Sequence, residues 1–352
     1  MRDRPGTRSA VSASKMNGPV QSGWRRGDPV EELVTREWLV TNGLGGYASG
    51  TIGGVCTRRF HGKLIAAMPA PLGRTLMVNH LEEHLVSPDG RTWLLSGDER
   101  KDGPVHFPTD GFLEEFVLEC GIPVWRFAGD GIRLEKRVVM PYGQNTTWMV
   151  YRLLEGPENL VLRMRPSLHF RPHEGLLAQP SEGWTVKGDG TDIEIEERST
   201  FPCLRIALLG RGAGLEADPL EVEQVLFRIE RSRGYDHEGP MWSPGVVHLE
   251  LDRGTSVAVV ASVEPWDVIH ALGIDDVLAA DGARRNRLLS MAGEASEENT
   301  SAQLVLAADQ FLISPHTRSA DTARLTAAGE TPRTVIAGYH WFTDWGRDTM
   351  IS

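Results

Sequence analysis

Within residues 338–348 stand four aromatic side chains (Tyr339, Trp341, Phe342, Trp345), two carboxylates (Asp344, Asp348) and one guanidinium (Arg347). Flat apolar sugar faces stack on indoles, while sugar hydroxyls pair with carboxylates and guanidinium, so this mixture suits a pyranose. In a helix, Trp341, Asp344, Trp345 and Asp348 would share one stripe. Indoles interleaved with acids make a poor core face, because the charges would be buried without partners. Gly346 suggests a second geometry, a loop in which Asp348 caps a helix starting at Thr349. Either geometry can turn the side chains into one pocket. The same residues also allow a plain packing role, with Asp348 only capping and Arg347 only pairing with Asp344.

A second segment runs from Glu37-Trp38-Leu39 through Asn42-Gly43-Leu44-Gly45-Gly46-Tyr47 to Thr57-Arg58-Arg59-Phe60-His61-Gly62. It reads as a strand that enters a glycine-rich loop and leaves through a basic, aromatic strand. A phosphate-binding P-loop would end Gly-Lys-Ser/Thr, whereas Gly62-Lys63 is followed by Leu64. A dinucleotide fingerprint would open a helix, whereas residues 51–65 read as strand. Both nucleotide readings fail. Two remain: a loop whose amides, with Asn42, Arg59 or His61, border a ligand, or a turn that lets two backbones approach closely. His80, His84, His106 and His169 lack companions at metal-ligand spacing, and Cys56, Cys120 and Cys203 form no CxxC pair. No GxSxG elbow is present. The expectation is therefore no metal and no cofactor.

The elements that must position these segments are mostly strands. Alternating apolar stretches at 81–86 and 92–95, 124–127 and 132–139, 184–187 and 192–196, and 246–251 and 256–263 flank turns rich in Asp-Gly, each predicting a hairpin. Further strands fit residues 147–154, 160–170, 203–209 and 224–231. So many antiparallel strands need two packed faces, hence a large antiparallel β-sandwich. Past Glu264-Pro265-Trp266, residues 267–280, 283–291 and 301–312 carry helical spacing. An acidic bridge at 293–300 separates the helices, and residues 317–333 read as polar and turn-prone. The expected layout is a flexible tail over 1–22, the sandwich over 23–266, a helical linker over 267–300, and the start of a helical domain over 301–352. Helices so few cannot bury their own apolar faces. Either they pack back on the sandwich or the chain is cut short.

The chain has 352 residues, 40% hydrophobic and 24% charged, as expected of a globular protein. Its 37 basic against 48 acidic residues give a net charge of −11. That balance argues against binding of nucleic acid, which needs clustered Lys and Arg. No apolar run reaches a membrane span, and the first residues lack the apolar core of a secretory signal, so the expected location is cytoplasmic.

Taken together, the two segments, with Arg233-Gly234-Tyr235 and Ser243-Pro244-Gly245, resemble the bacterial and archaeal type of glycogen debranching enzyme. The resemblance covers nearly everything beyond the tail. Phe60 stands where Tyr is commoner, Lys63 where an apolar residue is usual and His340 where Pro is usual. The resemblance implies an N-terminal sandwich followed by the first helices of an incomplete (α/α)6 barrel, with amylo-α-1,6-glucosidase activity toward glycogen or another branched α-glucan. It further implies that Arg347 and Asp348 grip the non-reducing-end glucose, that Trp341 and Trp345 shape its subsite, and that Asp344 serves substrate binding. The catalytic acid and base are expected beyond Ser352, leaving this chain inactive alone. A non-catalytic glucan-binding sandwich and a glucoamylase-like hydrolase are the alternatives.

Overall fold

Along Ile132–Val139 the inward positions carry Ile132, Leu134 and Val138, while Arg133 and Glu135 face out. This period of two is what a strand with one buried face requires. In the computed structural model, which describes residues 23–351 apart from 109–110, 179–182, 189, 199, 294–298 and 316–318, such strands build two large sheets. The first has nine strands, in the order Trp24–Arg25, Leu113–Glu119, Ile122–Gly129, Ile132–Val139, Thr146–Glu155, Ser256–Ser262, Leu204–Leu209, Asp192–Glu197 and Trp184–Gly188. The second has eight: Gly214–Leu226, Glu238–Leu251, Leu160–Pro172, Arg74–Val86, Gly62–Ala67, Tyr47–Thr51 and Glu37–Thr41, with Thr92–Leu94 added beside Arg74–Val86. Neighbours in both sheets run antiparallel. Side chains of both, among them Trp38, Met77, Leu85, Phe116, Trp125, Met149, Leu162 and Leu249, interdigitate in one core. The expected β-sandwich is present.

One polar pair bridges the two sheets inside that core. Lys136 occupies an inward position of Ile132–Val139, and Glu83 does so on Arg74–Val86. Lys136 Nζ lies 2.5 and 2.6 Å from the two carboxylate oxygens of Glu83, under the rings of Trp125 and Tyr151. Burial pushes the Lys136 ammonium down to about 8, against the opposing pull of Glu83.

Three of the four expected hairpins form as read. The fourth does not. Glu238–Leu251 pairs within the eight-stranded sheet, whereas Ser256–Ser262 pairs with Thr146–Glu155 and Leu204–Leu209 in the nine-stranded one. Asp252-Arg253-Gly254 therefore carries the chain across the sandwich, because an Asp-Gly turn fixes a reversal and not the sheet that receives the next strand. The strand expected at 224–231 is instead the end of Gly214–Leu226, followed by the helix Arg228–Ser232. The turn-prone stretch 317–333 contains the helix Ser319–Ala327.

The stretches read as 267–280 and 283–291 resolve into a short helix, Trp266–Ile269, and one continuous helix, Ile274–Ala292. Ile269 and Val277 pack on Val124, Trp148, Val150 and Val260, on the outer face of the nine-stranded sheet. That cover explains why Thr146–Glu155 is buried on both faces along most of its length. Asn299–Phe311 pairs with Ile274–Ala292 through Leu289, Ala302 and Leu306, and through a two-pronged Arg284–Asp309 bridge at 2.8 and 2.9 Å. The helices thus pack back on the sandwich. The tail expected over 1–22, and most of the acidic bridge, lie outside the described residues.

Candidate functional site

The glycine-rich loop is built around Asn42. This side chain is fully buried, and its Oδ1 accepts from the amides of Leu44 (2.9 Å) and Gly46 (3.0 Å). Its Nδ2 donates to the Gln144 carbonyl and to Asn145 Oδ1, both at 3.0 Å. An amide side chain offers two donors and two acceptor sites, so Asn42 is fully used in bracing the loop against the neighbouring sheet. Gly43, at φ +71°, lies against Tyr142, whose ring would come within 2.1 Å of an added Cβ. The sequence left Asn42 open either to bordering a ligand or to serving a close backbone approach; in the fold it faces inward, into the loop that it braces.

Arg59 and His61 are buried too. The Arg59 amide donates to Glu230 Oε2 (2.9 Å), and its guanidinium lies 3.8 Å from Asp236 and donates to the Gly175 carbonyl. His61 Nδ1 accepts from the Arg58 amide at 3.4 Å, and its Nε2 lies 3.2 Å from Glu37 Oε1. The same Glu37 oxygen accepts from Arg58 Nε at 2.5 Å. Burial works to raise the Glu37 carboxyl, but the hydrogen bonds and charges of His61 and Arg58 outweigh it and hold the group down at about 2. Burial lowers His61 in the opposite sense.

The terminal segment docks on this same face, so the two segments singled out by residue type are neighbours in space. Tyr339 packs on Tyr47, Ile65 and Leu76, with the Tyr47 and Tyr339 rings 5.4 Å apart. Arg74 clasps it: Nη1 donates to the carbonyls of His340 (3.2 Å) and Phe342 (2.8 Å), Nε donates to Gly45 (2.8 Å), and the guanidinium lies over Tyr339 at 4.8 Å. His340 Nε2 meets Ser49 Oγ at 3.0 Å, and its ring stands 5.3 Å from that of His61. Burial, with the charge of His61, pushes His340 down to about 3. The indole of Trp341 has the guanidinium groups of both Arg58 and Arg233 over it, each 5.1 Å from the ring centroid.

Beyond Trp341 the segment turns outward. Phe342 and Trp345 are 44% and 48% exposed with their rings 5.2 Å apart, edge to face, and Arg347 is exposed. Asp344 and Asp348 are half-buried, each with its Oδ2 shielded from solvent. Residues 338–345 do not form the helical stripe, and Asp348 is not a cap. The helix spans Gly346–Ile351, which places Asp348 in its first turn, where the helix dipole favours a carboxylate. Thr349 Oγ1 ties this helix to Thr334 Oγ1 at 2.9 Å. Residue spacing alone missed Arg74 and Tyr47. Arg74 heads a strand with no other basic residue but histidine, and Tyr47 owes its place to a hydroxyl that donates to the Phe60 carbonyl and meets His173 Nε2, both at 2.8 Å.

Glu37, His61 and His340 bring one ligand-type atom each within 4.8 Å of one another. The donor set argues against a metal centre. Arg58 already occupies the carboxylate oxygen that faces His61, and the Arg58 amide donating to Nδ1 places the His61 proton on Nε2. A cation would have to displace both.

The family model described as "Glycogen debranching enzyme N terminal" matches residues 36–258, and that described as "Amylo-alpha-1,6-glucosidase" matches 306–352. Nothing among curated proteins matches. Among solved structures, a human-microbiome chain assigned provisionally as a kojibiose phosphorylase aligns at 9% identity over 82% of this chain and 37% of its own, with a TM-score of 0.33. A bacterial glucoamylase complexed with acarbose aligns at 10% identity over 84% of this chain and 38% of its own, with a TM-score of 0.30. The chain thus spans well under half the length of either. No helix among the described residues is long and apolar enough to cross a membrane. The first family match alone takes in more than half of the chain, both strands of the first motif and the arginines that receive Trp341, and the chain belongs to the glycogen debranching enzyme family.

Proposed function

We propose that the outward half of the terminal segment holds the non-reducing-end glucose of a branched α-glucan, and that the complete enzyme removes α-1,6-linked glucose from branch stubs. The observation that carries this reading is the split of residues 338–348. Tyr339, His340 and Trp341 are docked on the sandwich, whereas Trp345 and Arg347 are exposed and Asp344 and Asp348 are half-buried. Trp345 supplies a flat apolar face, and Arg347, Asp344 and Asp348 supply hydroxyl partners. In this reading the two aspartates position sugar. The acid and base of an inverting hydrolase must flank the anomeric carbon about 6.5–9.5 Å apart. We place that pair beyond Ser352, so the 352-residue chain binds without hydrolysing. The accompanying layout is a sandwich over 23–266, a helical linker over 267–300 and the start of an (α/α)6 barrel over 301–352, in a cytoplasmic protein.

In the full-length enzyme, Arg347→Ala and Asp348→Ala should each lower kcat/KM on an α-1,6-glucosyl stub by about a hundredfold or more, the scale of losing transition-state contacts to the reacting sugar. Near-normal kcat/KM for both variants would overturn the assignment. Affinity electrophoresis in glycogen should retard the 352-residue chain while no glucose is released; release of glucose would show that the acid and base lie within it.

A further inference from the structure

We propose that the sandwich orients the sugar-binding segment through a guanidinium clamp on Trp341, with Arg58 as the positioning residue and Trp345 alone as the stacking platform. This rests on the reading of the terminal segment given above and divides its two indoles between two tasks. Arg58 and Arg233 both lie over the Trp341 ring at 5.1 Å, so the negative face that would meet a sugar is already engaged by cations. Arg58 is fixed from behind. Its Nε donates to Glu37 Oε1 at 2.5 Å, and the same oxygen is approached by the buried His61 at 3.2 Å. Its Nη1 is buried without a hydrogen bond, and its Cζ lies 5.1 Å from the Trp341 ring centroid. Trp345 differs in each respect. It is 48% exposed, touches Phe342 edge-on, and has no guanidinium over it among the described residues.

The backbone links the two tasks. Trp341 and Trp345 are separated by a short turn closed by the Ala337 amide on the Thr343 carbonyl (3.0 Å) and by the Ile336–Asp344 bridge. Rotating or releasing Trp341 therefore swings Asp344 and Trp345. Arg58 never needs to touch the sugar to govern its binding.

The test uses the 352-residue chain, maltotriose and a branched trisaccharide as probes, with calorimetry and amide hydrogen exchange as readouts. Arg58→Gln should speed exchange across residues 338–345 while the sandwich strands keep their protection, and should weaken binding about five- to tenfold, the scale of one partly desolvated cation–π contact. Arg58→Lys, which keeps the charge, should fall between. Trp345→Ala should abolish binding. The deciding measurement is a double-mutant cycle: in a Trp341→Leu background, Arg58→Gln should cost nothing more, whereas a general structural role would add its cost in both backgrounds. Additive losses, or unchanged exchange at 338–345 in Arg58→Gln, would overturn the clamp. Wild-type binding by both Trp345→Ala and Asp348→Ala would instead overturn the sugar-site reading, and the exchange data would still report on the clamp separately.

Discussion

His340, His173 and His80 are imidazoles held away from water: burial pushes them to about 3, about 4 and about 3, with neighbouring positive charge acting in the same direction. Each takes up a proton in the unfolded chain near its ordinary value of 6.5 but stays neutral in the fold until its own lowered value is reached. Between those limits the unfolded state binds more protons, so acid draws the equilibrium toward it. Urea-unfolding free energy should fall below pH 6.5, by roughly 1.4 kcal/mol per pH unit for each histidine. Glu37, held at about 2, adds a loss of the same sign below 4.5. His340→Gln should remove one proton's worth of slope, and stability that holds or rises on acidification would contradict the burial of these rings. At this scale the sequence was informative about what is exposed and silent about what is braced. Arg347 and Trp345 lie outside, as their types and company suggested. Asn42 reads identically whether it faces a ligand or holds a loop, because what decides is Asn145, 103 positions away. Arg74 gives no local signal, since its partners are carbonyls of residues 340 and 342.

Among the elements, the loop joining Glu37–Thr41 to Tyr47–Thr51 shows how backbone conformation and side-chain packing meet at one residue. Gly43 needs a positive φ and has no room for a methyl beside Tyr142. Gly43→Ala should therefore lower the urea midpoint, with a cost of about 1–3 kcal/mol from strain. The Tyr142 ring also lies under Arg284, at 3.9 Å, so moving it aside disturbs the partner of the Arg284–Asp309 bridge between the helices. An unchanged midpoint would show that Tyr142 moves freely. The strands themselves were legible because period-two patterning and Asp-Gly turns are local. The crossover at residues 252–254 was not, because both flanking strands are apolar enough to suit either sheet, and only their partners distinguish them. The helix Ser319–Ala327 was hidden by polar composition, since most of its surface faces solvent.

Across the whole molecule, the Lys136–Glu83 pair is a charged pin inside the largely apolar core between the two sheets. Removing one member of a buried pair strands the other charge, so Lys136→Met should cost about 3–5 kcal/mol, while Lys136→Met with Glu83→Leu should recover most of it. A double variant no more stable than the single would mean that the pair is net stabilising rather than merely matched. The two-sheet architecture has a further consequence through the terminal segment. Arg74 and Ser49 are separated from their partner His340 by 266 and 291 positions. The face around Arg74 and Ser49 thus stays unfinished until residue 340 has been synthesised, an interval on the order of 10–60 s at ordinary translation speeds. Closing so long a loop adds little to the equilibrium cost, which grows only with the logarithm of its length. Its weight falls on timing: during elongation the nascent chain carries an uncovered arginine and tyrosine platform that chaperones or premature self-association can reach, and the sugar site cannot be seated until that interval has passed.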